Sequence, residues 1–474
     1  MELRYFYPLV LGSFLITAGP AMADSTDDIL EMLISKGVLT KDEGAQITQR
    51  RKNENLVSEE EHKSDIRPVF KDGIRFESAD KTQFVSFDGR IQADYRHFDK
   101  HEAQSADTFD IRRAFMTMQG KFYKYYDFNI TADFGQAGGG SALDEAYFGI
   151  NWWNQARFRV GQFKMPFGLE QDTSDIFTEF QERALLDSLT PGKERGAMVF
   201  GNPAKGVSYG LAASTGRGKN NSNTDNSAEG LDIIGRATVN LAELMGSKNA
   251  VYHLGADFSR GDISPVQVNA ASGRTEARGI TFFTPTKFTF DQDDELRRTR
   301  YGIEAAVAQG SFKIQSEWMK HNYDGKTNLH QAYDKNIKSW YAAASWLVTG
   351  ESFADAYTSA GVFGRINPKS NFDWNTPGTG AVLLSLRYSD FDGSDFAADS
   401  GPAGSGNVAA GSPTGAHAWT AGVQWILNPN TRVMLDFVDT KFKGGEATYI
   451  KSNTGLTGSA DEEKALTARA QFDF

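Results

Sequence analysis

The 474-residue chain has no cysteine, which excludes disulfide staples, thiolate metal sites and thiol redox chemistry. Past its first 25 residues it also lacks any apolar run of the roughly 20 residues that a membrane-spanning helix needs. Mean hydropathy is −0.46 although 40% of residues are apolar, so the apolar side chains are dispersed rather than gathered in blocks. The seven histidines show no metal-ligand spacing, and no nucleophile elbow or phosphate-cradling Gly-rich loop occurs. Paired carboxylates such as Glu462-Glu463 fall in a polar stretch and read as solvated loop charges. No enzyme and no cofactor is indicated. Basic residues are outnumbered, 50 to 61, for a formal charge of −11, which argues against a nucleic-acid partner.

What is abundant points to sheet. There are 47 Gly, 34 Phe, 16 Tyr and 8 Trp, a composition that suits strands joined by tight turns and bordered by aromatic girdles. At the N-terminus, Arg4 precedes the apolar stretch Pro8 to Ile16, then Ala21-Met22-Ala23 precedes Asp24. That is the layout of a cleavable secretory signal over residues 1–23. Its removal takes one charge of each sign, Glu2 and Arg4, and leaves the balance at −11.

Residues 24–65 carry a helical period. Ile29, Leu30, Leu33, Ile34 and Val38 share one face, Gly37 interrupts it, and Thr40 to Glu43 form a capping box for a second helix. This predicts a small periplasmic helical hairpin or coil, with the charged stretch from Arg50 to Lys63 as a solvated tether. From about residue 69 the period becomes two. Val85, Phe87, Ile91, Ala93 and Tyr95 alternate with Ser86, Asp88, Arg90, Gln92, Asp94 and Arg96. A soluble sandwich would pair its apolar faces into a core; a membrane barrel turns them outward and its polar face to a lumen. The pattern recurs often enough for sixteen strands, an even number as a barrel with both ends on one side requires. A weaker candidate at 274–283 reads as loop. Short connections such as Asn202 to Lys205 and Asn428 to Asn430 suit the periplasmic rim, while long Gly/Ser/Asn loops at 216–230, 350–380 and 391–416 suit the outside. The chain ends Leu466-x-Ala468-x-Ala470-x-Phe472-x-Phe474, the form of a barrel-assembly signal. The expected fold is therefore all-β, a sixteen-stranded antiparallel transmembrane barrel over 66–474 with a short N-terminal helical segment, in a Gram-negative outer membrane.

Several motifs carry a family resemblance over residues 69–474. They include Phe70 to Phe76, Gly89-Arg90-Ile91-Gln92-Ala93-Asp94, Ile111-Arg112-Arg113-Ala114, Val160 to Glu170, Glu182-Arg183, Trp346 to Glu351, Leu386-Arg387-Tyr388-Ser389 and Trp425 to Val433. In this order they resemble the phosphate-selective porins O and P. The resemblance implies a homotrimer, a loop folded into the lumen, and an anion path lined by Arg and Lys, among outer-membrane lipids. Guanidinium forks grip phosphate oxygens bidentately and lysines act as point charges.

Strand parity points Arg90, Arg113, Arg159, Arg236, Arg387, Arg432 and Arg469 inward. A candidate constriction loop at 169–195 adds Arg183, Lys193 and Arg195. Parity also turns Asp88, Asp133, Glu145, Asp257, Glu304 and Asp436 inward, so these charges could simply pair across strands. The sequence thus supports a porin for small anions, phosphate or polyphosphate, against a weakly selective general porin or an anchor or adhesin barrel.

Overall fold

The computed structural model describes residues 30, 32–62, 65–70, 73–99, 107–135, 142–220, 231–263, 267–268, 271–289, 296–327, 329–399, 406–450 and 457–474. The expected signal peptide lies outside the described residues. The chain divides after Asp65 into two compact units.

In the first unit, helical residues 32–35 precede the helix Lys41–His62. Glu43 accepts the Thr40 N–H at 2.9 Å and its own N–H donates to Thr40 Oγ1 at 3.2 Å, which is the capping box. Gly44 packs where a Cβ would meet Ile34 Cδ1 at 2.5 Å, so the missing side chain lets the two helical pieces approach. The helix runs on through the stretch expected to be a tether. That stretch, Arg50 to Lys63, has no Gly or Pro and is rich in Arg, Lys and Glu, residues that lose little on entering a helix.

The second unit is a closed barrel of sixteen antiparallel strands. They are β1 (Phe84–Phe98), β2 (Asp107–Phe122), β3 (Tyr126–Asp133), β4 (Ala142–Trp153), β5 (Ala156–Lys164), β6 (Lys193–Gly201), β7 (Val207–Ser214) and β8 (Asp232–Asn240), followed by β9 (Ala250–Ile263), β10 (Leu296–Gln309), β11 (Phe312–Lys326), β12 (Ala332–Leu347), β13 (Ala381–Asp392), β14 (Gly415–Asn428), β15 (Thr431–Lys443) and β16 (Glu462–Asp473). Each pairs with the next, and β16 returns to β1 with Ala470 opposite Ala93 and Phe472 opposite Ile91. No barrel strand is left with an open edge, the condition for crossing a bilayer with strands.

Alternation survives in detail. On β14, Ala416, Ala418, Thr420, Gly422 and Gln424 are buried while Trp419, Ala421 and Val423 are exposed. Outward aromatics gather near one end, where Phe122 stacks on Phe128 and Tyr126 on Phe148, and Phe312 stacks on Trp346. That end also holds Phe474 and the short turns, so it is the expected periplasmic side.

The structure corrects the sequence reading at four places. Segment 348–380 joins β12 to β13 at the short-turn end, not outside as its length and polarity suggested. A hairpin, Ile66–Phe70 with Ile74–Ser78, precedes the barrel and pairs onto the first residues of β1, Ile74 opposite Phe87. Residues 273–283 do lie in a loop, but one with a small hairpin of its own that packs against β13 and β14. Glu463, expected in solvent, is buried and accepts the Ile280 N–H at 2.6 Å.

The C-terminus finishes the closure. Phe474 and Gly89 exchange both backbone hydrogen bonds at 2.9 Å, and the Phe474 ring covers Gly89 so closely that a Cβ there would meet it at 2.5 Å. Replacing Phe474 by Asp removes that ring from the seam and puts a charge at its end. The folded, heat-modifiable barrel recovered from outer membranes should fall several-fold, while Phe474→Tyr should keep it. An unchanged yield for the Asp variant would refute the assembly role.

Candidate functional site

The lumen is crossed by the segment 165–192, which links β5 to β6. Its entry, Met165-Pro166-Phe167-Gly168, turns inward through Gly168 at φ +76°, a conformation that favours glycine. Peptide groups carried into a barrel have no ladder to join, so side chains must satisfy them. Gly168 N–H donates to Asp257 at 3.0 Å, and Leu169 and Glu170 N–H donate to the two oxygens of Glu317 at 2.7 and 2.8 Å. Across the lumen, Gln181 N–H meets Asp436 at 2.7 Å and Arg469 donates to the Gln181 carbonyl at 2.5 Å. Between these points the turn Leu185–Leu189 buries Leu185, Leu186 and Leu189 in a cluster with Met319, Ile337 and Tyr341.

Two further segments fold in. From the long-loop end, Glu276 accepts Arg387 at 2.6 Å and also binds Ser389 and Thr420, while Phe282 and Phe283 pack on Phe391. From the short-turn end, the Ala360 and Gly361 carbonyls accept Arg236 at 3.2 and 2.9 Å, and the Tyr357 hydroxyl meets His253 at 2.8 Å.

The residues picked from sequence divide by what they face. Arg387 serves the fold, held by Glu276, Glu170 and the Glu182 carbonyl. Arg236 is gripped by Glu304 at 2.8 Å and Asp172 at 3.1 Å. Arg183 donates to the loop's own carbonyls, Glu170 and Thr173, each at 2.9 Å. Lys193 and Arg195 belong to β6 rather than to the loop. Lys193 pairs with Asp144 and Glu145; Arg195 lies on the parity opposite to buried Glu194 and Met198 and meets Gln162 at 3.3 Å. Arg90 and Arg113 both engage Asp175 of the loop. Burial would push the Asp175 carboxyl up, but the adjacent Arg113 and Arg90 guanidiniums outweigh it and hold it well below the usual carboxylate range. Arg159 stacks on Tyr147, 3.9 Å from the ring centroid, and forms no ion pair among the described residues.

Arg159 belongs to a basic set that parity alone did not assemble. A cavity of about 340 Å³ near the short-turn end is lined by Arg157, Arg159, Lys164, Asp172 and Arg236, among others. Arg157 donates to Asn202 at 3.1 Å, and Lys164 Nζ to the Asp172 and Thr173 carbonyls at 3.3 Å. A second cavity of about 420 Å³ also touches Lys164, along with Arg90, Asp175 and Lys193. At the long-loop end, Arg112, Arg96, Arg278 and Arg469 converge on one carboxylate, Glu182, at 2.7, 3.6, 3.7 and 3.0 Å. Alternation with Arg159 gave a signal for Arg157, and parity with Arg90 one for Arg96. Arg112 was hidden by a β-bulge, a register shift that skips it between Gln92 opposite Arg113 and Ala93 opposite Ile111, and so turns two consecutive arginines inward. Arg278, in a loop, gave none.

A closed barrel, apolar outside, charged within and narrowed by in-folded loops, defines an outer-membrane porin. The chain belongs to the phosphate-selective porin O and P family, whose profile matches residues 85–474, and its place is the Gram-negative outer membrane. It is 25% identical to Porin O of Pseudomonas aeruginosa over 442 residues, 87% of this chain and 93% of that one. Among solved structures, the outer-membrane protein OmpT of Vibrio cholerae in trimer form superposes with a TM-score of 0.50 at 9% identity, covering 83% of this chain and 99% of that one. An anion-selective porin from Comamonas acidovorans gives 0.49 at 10% identity over 83% and 100%.

Glu317 tests how the loop is held. Glu317→Ala strips two peptide donors and the Tyr341 hydroxyl of their acceptor, and each buried donor left unpaired costs roughly 1–3 kcal/mol. The barrel wall keeps its own ladder. The variant should fold, yet show larger and noisier single-channel conductance; variant traces as quiet as those of wild type would show that Glu317 does not restrain the loop.

Proposed function

We propose that the channel passes small anions, with phosphate or polyphosphate favoured, and works as a homotrimer. The observation that carries this reading is the division of labour among the luminal charges. Asp257, Glu317, Asp436 and Glu463 accept peptide N–H groups of the in-folded segments. Spent on backbone, these acids face the loops, while Arg157, Arg159 and Lys164 are left around an open cavity. Two adjacent forks and a point charge suit a phosphate-like oxyanion. Four guanidiniums around Glu182 extend the positive field toward the long-loop mouth. The family's name supports phosphate, and the trimer form of the Vibrio cholerae protein supports the assembly. Net charge is no objection, since an ion answers to the field of the walls it passes.

A weakly selective porin is the second reading. It is favoured by Asp144, Glu145 and Asp175, which offset Lys193, Arg90 and Arg113 around the other cavity.

Reversal potentials in a KCl gradient separate the two. Wild type should prefer chloride, and millimolar phosphate should block that current. Changing Arg157 and Arg159 together to Gln should move the reversal potential toward potassium and raise the half-blocking phosphate concentration by about tenfold. Changing both to Lys should keep the charge preference and lose part of the block, because the fork geometry goes while the charge stays. A cation-preferring wild type, or one without phosphate block, would leave the general porin.

A further inference from the structure

The outer wall of the barrel carries a charged feature of its own, away from the lumen. On β11 the outward positions run Phe312, Ile314, Ser316, Trp318, Lys320 and Asn322; on β12 they run Trp346, Ala344, Ala342, Trp340, Lys338 and Asn336. The register sets like against like, with Trp318 opposite Trp340, Lys320 opposite Lys338 and Asn322 opposite Asn336. Two lysines directly across an antiparallel pair repel and cost stability. Neither forms an ion pair among the described residues, and the nearby carboxylates Asp324 and Asp390 are taken by Arg297 and Lys443. Asp392, opposite Lys338 on β13, accepts the Ser394 N–H at 3.0 Å, and Asp334 accepts the Asn322 amide at 2.7 Å.

Below the two lysines lies an aromatic row. Trp318 and Trp340 are exposed, Tyr301 of β10 stands opposite Lys320, and Tyr388 of β13 packs on Trp340 and on Trp419 with centroids 5.4 and 5.0 Å apart. Phe312, stacked on Trp346, marks the other boundary of the apolar band, toward the short turns. Eight residues separate Phe312 from Lys320, roughly 20 Å along the membrane normal for strands tilted about 40°. An outer-membrane barrel exposes an apolar band about 25 Å tall, so the lysines stand where lipid tails give way to headgroups. Tyr and Trp rings mark that same level.

We propose that Lys320 and Lys338, with the Trp318 and Trp340 rings beneath them, bind the phosphate of a phosphorylated glycolipid in the outer leaflet. A phosphate monoester carries a charge of about −1.5 to −2, enough to neutralise both ammoniums and turn their repulsion into a shared attraction. At the edge of the hydrocarbon that attraction is stronger than in open water. The acyl chains then lie on exposed Ile303 and Ile314 and against the tryptophan rings, while Asn322 and Asn336 offer amides to the sugar. The site is open on its outer side, so a free phosphate ion gains the two charges but none of the apolar contact that holds a lipid there. The proposal concerns the wall outside the pore and stands whether or not the pore prefers anions.

The test titrates the folded channel in detergent with diphosphorylated lipid A and counts retained lipid by native mass spectrometry. Changing Lys320 and Lys338 together to Gln should weaken retention about tenfold, as charge-assisted contacts are lost; changing both to Arg should keep it. The same lipid with its phosphates removed should bind wild type and the Gln variant alike. Inorganic phosphate in large excess should leave bound lipid A in place. Stability should change sign with the lipid. Lys338→Gln alone should raise the temperature of the heat-modifiability transition in lipid-free detergent, where it relieves repulsion, and lower it relative to wild type when lipid A is present. Single-channel conductance should be the same in all variants, since neither lysine faces the pore. Equal retention by wild type and the Gln variant overturns the proposal, and so does displacement of lipid A by inorganic phosphate. Loss of trimer with lipid retention intact assigns the pair to a contact between subunits and overturns it as well. Should the double Gln variant yield no heat-modifiable barrel, the two single variants are titrated instead, and failure of both to fold would assign the lysines to the fold and overturn the proposal.

Discussion

A peptide group inside a barrel has no neighbouring strand to bond, and the rest of this lumen is arranged around that fact. Three segments enter it, and their N–H groups are met by carboxylates on inward strand positions. Glu317 takes two, Asp257, Asp436 and Glu463 one each. Carbonyls are met from the other sign: Arg469 reaches Gln181, Arg387 reaches Glu182 and Arg236 reaches Ala360 and Gly361. Leaving such a group unpaired in a closed space costs roughly 1–3 kcal/mol, so these side chains are committed to it. Which luminal charges remain for solute is decided by subtraction.

Part of the lumen is lost to solute by a second constraint. Phe163, Phe167, Leu185, Leu186, Leu189, Met319, Ile337, Tyr341 and Phe391 form one buried apolar cluster. It joins the crossing loop to the inward faces of β11, β12 and β13. An apolar core on that side fixes the loop more firmly than hydrogen bonds open to water would. It also keeps ions away, since charge entering an apolar cluster loses its hydration with no return. The described cavities accordingly border β1 to β8, where Arg90, Arg157, Arg159, Lys164 and Lys193 lie.

Much of this was legible from a single sequence because a strand has a period of two. Parity placed Arg90, Arg159 and Arg236 on the inner face and Asp257 and Asp436 beside them. It could not tell that Arg236 would be ion-paired by Glu304 and Asp172 while Arg159 would lie against the rings of Tyr147 and Phe200, because partner choice depends on loops whose course has no period. Parity also fails silently at a bulge: Arg112 reads as outward until the skipped residue opposite Gln92 and Ala93 is seen. Segment 348–380 departs from expectation for a different reason. Length and polarity describe loops at either rim, and only the strand count up to β12 fixes which rim a loop occupies. The hairpin before β1 falls within the 66–474 span that the sequence assigns to the barrel, yet it supplies none of the sixteen strands.

The acidic balance of the whole chain and the basic lining of the cavity near the short-turn end do not conflict. Charges separated by more than about 8–10 Å at ordinary salt hardly feel one another across water, whereas Arg157, Arg159 and Lys164 border one small cavity. A solute in it faces those walls at contact distance and the outer loops only through screening. The same argument limits how strong such a site should become. Every added guanidinium eases the entry of an anion and slows its exit together, so under the anion reading cations that are ion-paired hold a solute less tightly than cations that are not. Lys193 is partnered by Asp144 and Glu145, and Arg90 and Arg113 by Asp175; Arg157 and Arg159 instead lie against Phe200, a neighbour that holds a guanidinium without cancelling its charge. Under the anion reading, a path that alternates ion-paired cations with cations held on aromatic rings gives an anion successive sites of unequal depth, and movement from one to the next is what a channel needs in place of binding.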